Sequence, residues 1–435
     1  MGEKDKAQIR KRNMRLFPIS KSLGWDYLFF YTTNFLFLTQ VKNISAASVV
    51  LIDSFYALFG ILMQIPAAFI VEYLGRKKSI VFANVLNCIY MIVVMTSVNL
   101  FNLIIAEMLS SLAFGIKESA EPALLNESIP KSKHKSNIFS RINEKGIANW
   151  YILNAITTIL AGFFYDINPY IPISLSLVVT ILVTIVSTGF VEPTENKKAK
   201  NAKNTEQFNQ LAEIKDSFKF IFKSERLKSL ILCSALSTGI MSILSSYEVS
   251  LLEELNIDAK YLCTIFAIIG IISVLVTKKQ EAFHKKYKNK SLQMLLFILS
   301  VSILLAGISG IISTTYITGI ALIIVCFTVG NCTRAIFYPL IEKYLRNFAN
   351  EEIDTKIFVA KNFLGSILSA VIGLIGSFLL ERMSTAYSMT VVGIISIIIT
   401  IMLSKYMKTR VGLNPNEYSK EELKYDELKI EELMG

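Results

Sequence analysis

The sequence predicts an all-α integral membrane protein of twelve transmembrane helices in two six-helix, pseudo-symmetric bundles. Three observations carry that expectation. The chain has 435 residues, is 53% apolar, and is only 18% charged, a smaller charged share than soluble globular domains carry. Apolar runs of about 20 residues recur along it, each long enough to cross a bilayer core of roughly 30 Å. The cations are segregated to alternate ends of those runs.

In chain order the spans fall near 22–40, 46–71, 79–98, 102–126, 144–166, 169–190, 227–252, 259–277, 291–312, 314–339, 357–380 and 384–407. Numbered from a cytoplasmic N-terminus, they leave 40 of the 45 Lys and Arg in cytoplasmic segments or at their helix ends. Lys42, Lys260 and Arg382 fall outside, and Lys117 and Arg334 lie within spans. This asymmetry follows the positive-inside rule and predicts a multi-pass plasma-membrane protein with both termini cytoplasmic. Topology thus accounts for the net charge of +11, and no nucleic-acid partner is expected. Residues 1–21 read as a basic cytoplasmic segment before an uncleaved first helix, because the span is long and lacks a small-residue cleavage site. The five cysteines, Cys88, Cys233, Cys263, Cys326 and Cys332, all sit in apolar spans without metal-ligand spacing. They read as small buried hydrophobes. No metal or cofactor is expected.

Residues 192–226 form the one long central linker, separating bundles at 22–191 and 227–407. In its second part Leu211, Ile214, Phe218, Ile221 and Phe222 recur at helical spacing with Lys215, Lys219 and Lys223 between them. That pattern predicts a basic amphipathic helix on the inner leaflet. Residues 408–435 form a polar cytoplasmic tail. The halves also share traces of each other. Ile138-Phe139, Asn143 and Gly146 recur as Ile357-Phe358, Asn362 and Gly365 at an offset of 219, with Pro122 and Pro339 expected to end the preceding helices. The register favours two parallel repeats.

The loop between the second and third spans reads Glu72-Tyr73-Leu74-Gly75-Arg76-Lys77-Lys78. Gly75 permits a sharp turn, while Arg76, Lys77 and Lys78 stay in the cytoplasm and can bond helix-end carbonyls. Glu72 can pair with a cation or a helix N-terminus in one conformation and release it in another. From Ala68 to Lys78 the stretch resembles the second-to-third-helix signature of the major facilitator superfamily, with Ala68, Glu72 and Tyr73 departing from its Gly, Asp and Arg. Leu103 to Glu107 and on through Gly115, then Ser119 to Ser128, is similar to the fourth helix of a branch of bacterial permeases often labelled drug-efflux-like. The usual fourth-helix Arg aligns with Glu107, and the span from Gly146 to Asp166 lacks the signature of drug–proton antiporters. The resemblance implies a secondary transporter in a bacterial plasma membrane, with the first, fourth, seventh and tenth helices lining a cavity.

Those four helices carry polar stripes. Asp26, Thr33 and Gln40 recur every seven residues in the first; Ser234, Thr238, Met241, Ser245 and Glu248 step by three and four in the seventh; Asn331, Arg334 and Tyr338 align in the tenth. In the fourth, Glu107 and Glu118 share a face roughly 16 Å apart, and Lys117 and Glu121 are spaced for an ion pair. Ionisable groups within the membrane are expensive and usually functional. A proton carrier needs a carboxyl whose charge responds to desolvation and to a movable cation. Asp26, Glu107, Glu118 and Glu121 are the candidates for proton coupling. Thr33, Lys117, Met241, Ser245, Glu248, Asn331, Arg334 and Tyr338 are candidates for the substrate cavity.

No Gly-x-x-x-x-Gly-Lys-Ser/Thr loop is present, so an ion gradient is the expected energy source. His134 and His284 fall in cytoplasmic loops without a nucleophile–base constellation, and an enzyme is not expected. The expected partners are a small-molecule substrate, a proton or other coupling ion and the lipid bilayer, with a monomer as functional unit. The leading expectation is proton-coupled export of a small amphipathic compound or drug by alternating access. The alternatives are uptake of a small nutrient by proton symport, and a non-transporting receptor or assembly protein with the same fold.

Overall fold

The computed structural model describes residues 3–130, 135–192, 225–287, 290–312, 317–346 and 351–410, and these contain helices and no strand. The amphipathic segment expected at 211–223 and the tail beyond 410 lie outside the described residues. The helices are α1 (Glu3–Gly24), α2 (Ala46–Leu62), α3 (Gln64–Leu74), α4 (Arg76–Thr96), α5 (Leu100–Ser128), α6 (Lys135–Ile167) and α7 (Tyr170–Thr188). They continue as α8 (Glu225–Glu254), α9 (Ala259–Thr277), α10 (Gln280–Tyr287), α11 (Ser291–Ile312), α12 (Ile317–Arg346), α13 (Glu351–Leu380) and α14 (Thr385–Arg410). Ten of the described helices are long and apolar enough to span a bilayer.

Two expected spans are broken, each for a local reason. The second divides into α2 and α3 with a bend of 51° at Met63. Pro66 lacks an N–H for the carbonyl of Leu62, and its ring crowds that carbonyl. The first span is not one helix from 22 to 40. α1 stops at Gly24, turns occupy the chain to Thr33, and a short helical turn at Asn34–Leu36 leads into a π-helical turn at Phe37–Val41. At the break Asp26 Oδ1 accepts the Tyr27 N–H at 2.7 Å, competing with the helical bond, and Phe29 adopts φ +67°. The seven-residue spacing of Asp26, Thr33 and Gln40 therefore does not make one helical face.

The two prolines expected to end helices do not: α5 runs through Pro122 to Ser128, and α12 through Pro339 to Arg346. Pro339 leaves the Ala335 carbonyl without its helical donor, and the Thr277 hydroxyl of α9 donates to it at 3.4 Å. A neighbouring helix thus satisfies the freed backbone group, as a low-dielectric setting requires.

The chain divides into two compact units, residues 1–208 with 258–267, and residues 209–257 with 268–435. In the first unit α4 packs on α5 and α7, and α1 packs on α6. In the second α11 packs on α12 and α14, and α8 packs on α13. The repeated glycines take equivalent places. Gly146 of α6 faces α1, where an added Cβ would lie 2.7 Å from Lys21 Cβ; Gly365 of α13 faces Thr238 of α8, at 3.5 Å. Exposed Val, Ile, Leu and Phe side chains on α4, α7, α9, α13 and α14 suit a lipid surround.

Candidate functional site

The loop around Gly75 is a joint between three helix ends. Gly75 sits at φ +81°, a backbone region that favours glycine. Its N–H closes α3 on the Val71 carbonyl at 3.1 Å, and its carbonyl accepts the Ser79 N–H at 3.1 Å as α4 begins. The first amides of α4, those of Arg76 and Lys77, donate to the two Glu192 oxygens at 3.0 and 2.9 Å. Glu192 thereby caps a positive helix end from 115 residues away. The Arg76 guanidinium reaches Glu127 at the end of α5 at 2.6 Å. Glu72 and Lys78 are exposed, and Lys77 is half-buried.

Deeper in the first unit, a charge network surrounds the end of α1. Lys21 Nζ donates to Glu121 Oε2 at 2.8 Å, and Lys117 Nζ lies 3.9 Å from Glu121 Oε1. Lys117 also donates to the Gly24 carbonyl, capping the broken end of α1 with a cation. Lys21 covers the Trp25 ring at 4.3 Å, and Trp25 leans on Trp150. Lys117 and Glu121 are 4% and 3% exposed, so each compensates a desolvation the other could not bear alone. The helical spacing of Lys117 and Glu121 is realised as an ion pair. Lys21, read from sequence as part of a cytoplasmic segment, joins them because α1 carries it inward.

A second polar line links Asp26 to Glu107. The Tyr27 hydroxyl donates to Asn87 Oδ1 at 2.9 Å and exchanges a hydrogen bond with Ser110 at 2.9 Å. Its ring stacks on Tyr90 at 4.9 Å, and the Tyr90 hydroxyl donates to Glu107 Oε1 at 3.2 Å. Glu118 is exposed and joins neither line through a hydrogen bond. Thr33 is fully buried, with its hydroxyl donated to the Phe29 and Phe30 carbonyls at 3.1 and 3.3 Å.

In the second unit, α8 and α12 bring Glu248 and Asn331 together. Asn331 Nδ2 donates to both Glu248 oxygens, at 2.9 and 3.2 Å, and to the Phe327 carbonyl at 3.0 Å. Glu248 is 3% exposed. Arg334 follows one turn after Asn331 on α12, and its guanidinium stands 5.9 Å from the Tyr338 ring centroid. Met241 is buried against the Ser237 hydroxyl at 3.5 Å, while Ser245 donates to the Ser242 carbonyl at 2.9 Å. Glu248, Asn331, Arg334 and Tyr338 therefore gather in one place; Met241 and Ser245 are engaged by their own helix.

Sequence reasoning missed Glu192, Tyr27, Tyr90 and Asn87. Their partners lie far along the chain, beyond the reach of any spacing rule; only the Tyr27 position beside Asp26 offered a local signal.

Helices of this length and apolarity, arranged around buried charged groups, define a multi-pass helical membrane protein. The sequence profile of the Major Facilitator Superfamily matches residues 22–341, and the chain belongs to that family. It is 22% identical over 227 residues to the uncharacterized MFS-type transporter YxaM of Bacillus subtilis (strain 168), a match spanning 51% of this chain and about half, 53%, of that relative. Among solved structures it is similar to the nucleoside transporter NupG, with TM-score 0.67 and 13% identity over 93% of this chain and 100% of that one. A POT family transporter in complex with 5-aminolevulinic acid gives 0.66 and 14% over 93% and 96%. A D-xylose-proton symporter gives 0.65 and 13% over 92% and 97%. At such identities the likeness speaks for the fold.

Proposed function

We propose that the chain is a proton-coupled secondary transporter of a small polar solute, cationic or zwitterionic, working by alternating access. It would sit in the plasma membrane with both termini in the cytoplasm, the orientation that the segregation of Lys and Arg supports. The Gly75 loop would serve as its gating joint.

One observation carries the reading: the Glu248 carboxylate, buried within a membrane helix, is held by the neutral amide of Asn331. A carboxyl bound by an amide keeps an oxygen for that amide when it takes up a proton, and the amide can give way to a substrate ammonium. Glu121 differs, because Lys21 grips it directly. We therefore assign coupling or substrate recognition to Glu248, and an anchoring role to the Glu121 network. A site built from hydrogen-bonding groups rejects apolar ligands that leave those groups unpaired. This favours a polar nutrient over an apolar drug, in keeping with the nucleoside, peptide-family and xylose transporters that share the fold.

Export of an amphipathic compound by antiport is the second reading, supported by the likeness of α5 to drug-efflux-like permeases. Flux in proteoliposomes separates the two. Nucleosides, amino acids, short peptides, sugars and cationic dyes are offered with a proton gradient imposed in each direction. Accumulation of a polar solute with the inward gradient supports the first reading. Dye movement against it supports the second, and no flux with any solute contradicts both.

A further inference from the structure

Apart from the gating loop and the buried networks, α1 and α7 form a groove of about 630 Å³ lined by Lys11, Arg12, Arg15, Leu16, Ile185 and Val186. The three cations share one face of α1, opposite the buried Asn13 and Phe17. Elsewhere in this unit Lys21 is paired with Glu121, and Arg76 with Glu127. Among the described residues, no carboxylate lies within ion-pair distance of Lys11, Arg12 or Arg15. Among the described residues, the end of α7 offers them the negative character of a helix C-terminus. An added Cβ on Gly189 would lie 3.0 Å from Leu16 Cδ1 and 3.6 Å from Arg12 Nη2, so the Arg12 guanidinium lies beside the end of that helix. Half a unit charge at a helix end does not neutralise three cations.

The groove's other end is apolar and continues along α7. Val178, Ile181, Leu182 and Ile185 are 52%, 44%, 48% and 60% exposed and fall on one face at helical spacing. A trio of cations at one end and an aliphatic track leading from it match one ligand shape, an anionic head on an acyl chain. We propose that this groove binds an anionic phospholipid, its phosphate among Lys11, Arg12 and Arg15 and a chain along Ile185, Leu182, Ile181 and Val178. Basic residues beside a membrane helix attract such headgroups, and two arginines suit the planar recognition of phosphate oxygens. The choice of the inner leaflet rests on the orientation proposed above; the binding does not.

The test is native mass spectrometry of the full chain in mixed micelles of phosphatidylglycerol and phosphatidylcholine with matched acyl chains. The unaltered protein is expected to retain phosphatidylglycerol preferentially. Lys11→Gln/Arg12→Gln/Arg15→Gln should weaken retention by about fivefold for each cation removed, and Arg12→Lys/Arg15→Lys should keep most of it. A variant with the same loss of charge elsewhere, Lys285→Gln/Lys286→Gln/Lys290→Gln, should retain the preference. If the first variant fails to fold, the lipid competition on the unaltered protein still decides. Equal retention of both lipids, or an equal loss in the distant variant, overturns the proposal. Displacement of the lipid by glycerol phosphate or inorganic phosphate at equal concentration also overturns it, because the site would then read a free anion.

Discussion

The two units treat their buried carboxylates differently. In the first, Glu121 lies between two lysines, one at 2.8 Å and one at 3.9 Å, and one of them also caps a broken helix. In the second, Glu248 is held by the Asn331 amide, which donates to both of its oxygens at 2.9 and 3.2 Å. Ion pairs at contact distance fix a geometry; an amide–carboxylate bond survives loss of the charge and leaves the group able to change state. The difference teaches that burial alone does not mark a working carboxylate. What holds it decides whether it can act.

That contrast can be broken first at Lys21. Lys21→Met leaves Glu121 buried beside one remaining lysine and is expected to destabilise the protein by about 3–5 kcal/mol, the range for breaking a buried pair from one side. Thermal unfolding in detergent reads it. Lys21→Met/Lys117→Met/Glu121→Met removes every charge of the network and should recover much of the loss; additive losses would show that the network does not hold the unit together.

A smaller effect tests the packing on which the network rests. Gly146→Ala places a methyl 2.7 Å from Lys21 Cβ, whereas at Gly365 the nearest atom is 3.5 Å away. The first substitution should cost about 1–3 kcal/mol as α1 shifts, and the second should stay within about 0.5 kcal/mol. Equal melting temperatures for the two variants would contradict this asymmetry. Next comes the Gly75 turn. Gly75→Ala forces a side chain into φ +81° at a cost of about 1–2 kcal/mol, again read by thermal unfolding. A loss no greater than that of Gly365→Ala would show that the turn relaxes.

How much of this was legible in the sequence depends on the range of each contact. The membrane class and the Gly75 turn were readable because apolar length and a single glycine carry them. The Lys117–Glu121 pair was readable because i and i+4 meet on any helix. The Asp26–Thr33–Gln40 stripe misled, because that spacing presumes a continuous helix and the chain breaks after Gly24. The Lys21–Glu121 pair offered no cue, because hydropathy marks where apolar residues begin while α1 packs on the unit from as early as Asn13. Glu192 offered no local cue. Its role arises from two helix ends meeting, which folding alone brings about.

The smallest expected effect on stability and the largest on transport meet at Glu248. Glu248→Gln keeps an oxygen to accept the Asn331 amide, so its melting temperature should stay close to that of the unaltered protein. The decisive measurement is solute accumulation in proteoliposomes under an imposed proton gradient, compared with exchange of the same solute without a gradient. The account predicts that Glu248→Gln loses gradient-driven accumulation in a folded protein. Accumulation at the unaltered rate would contradict it.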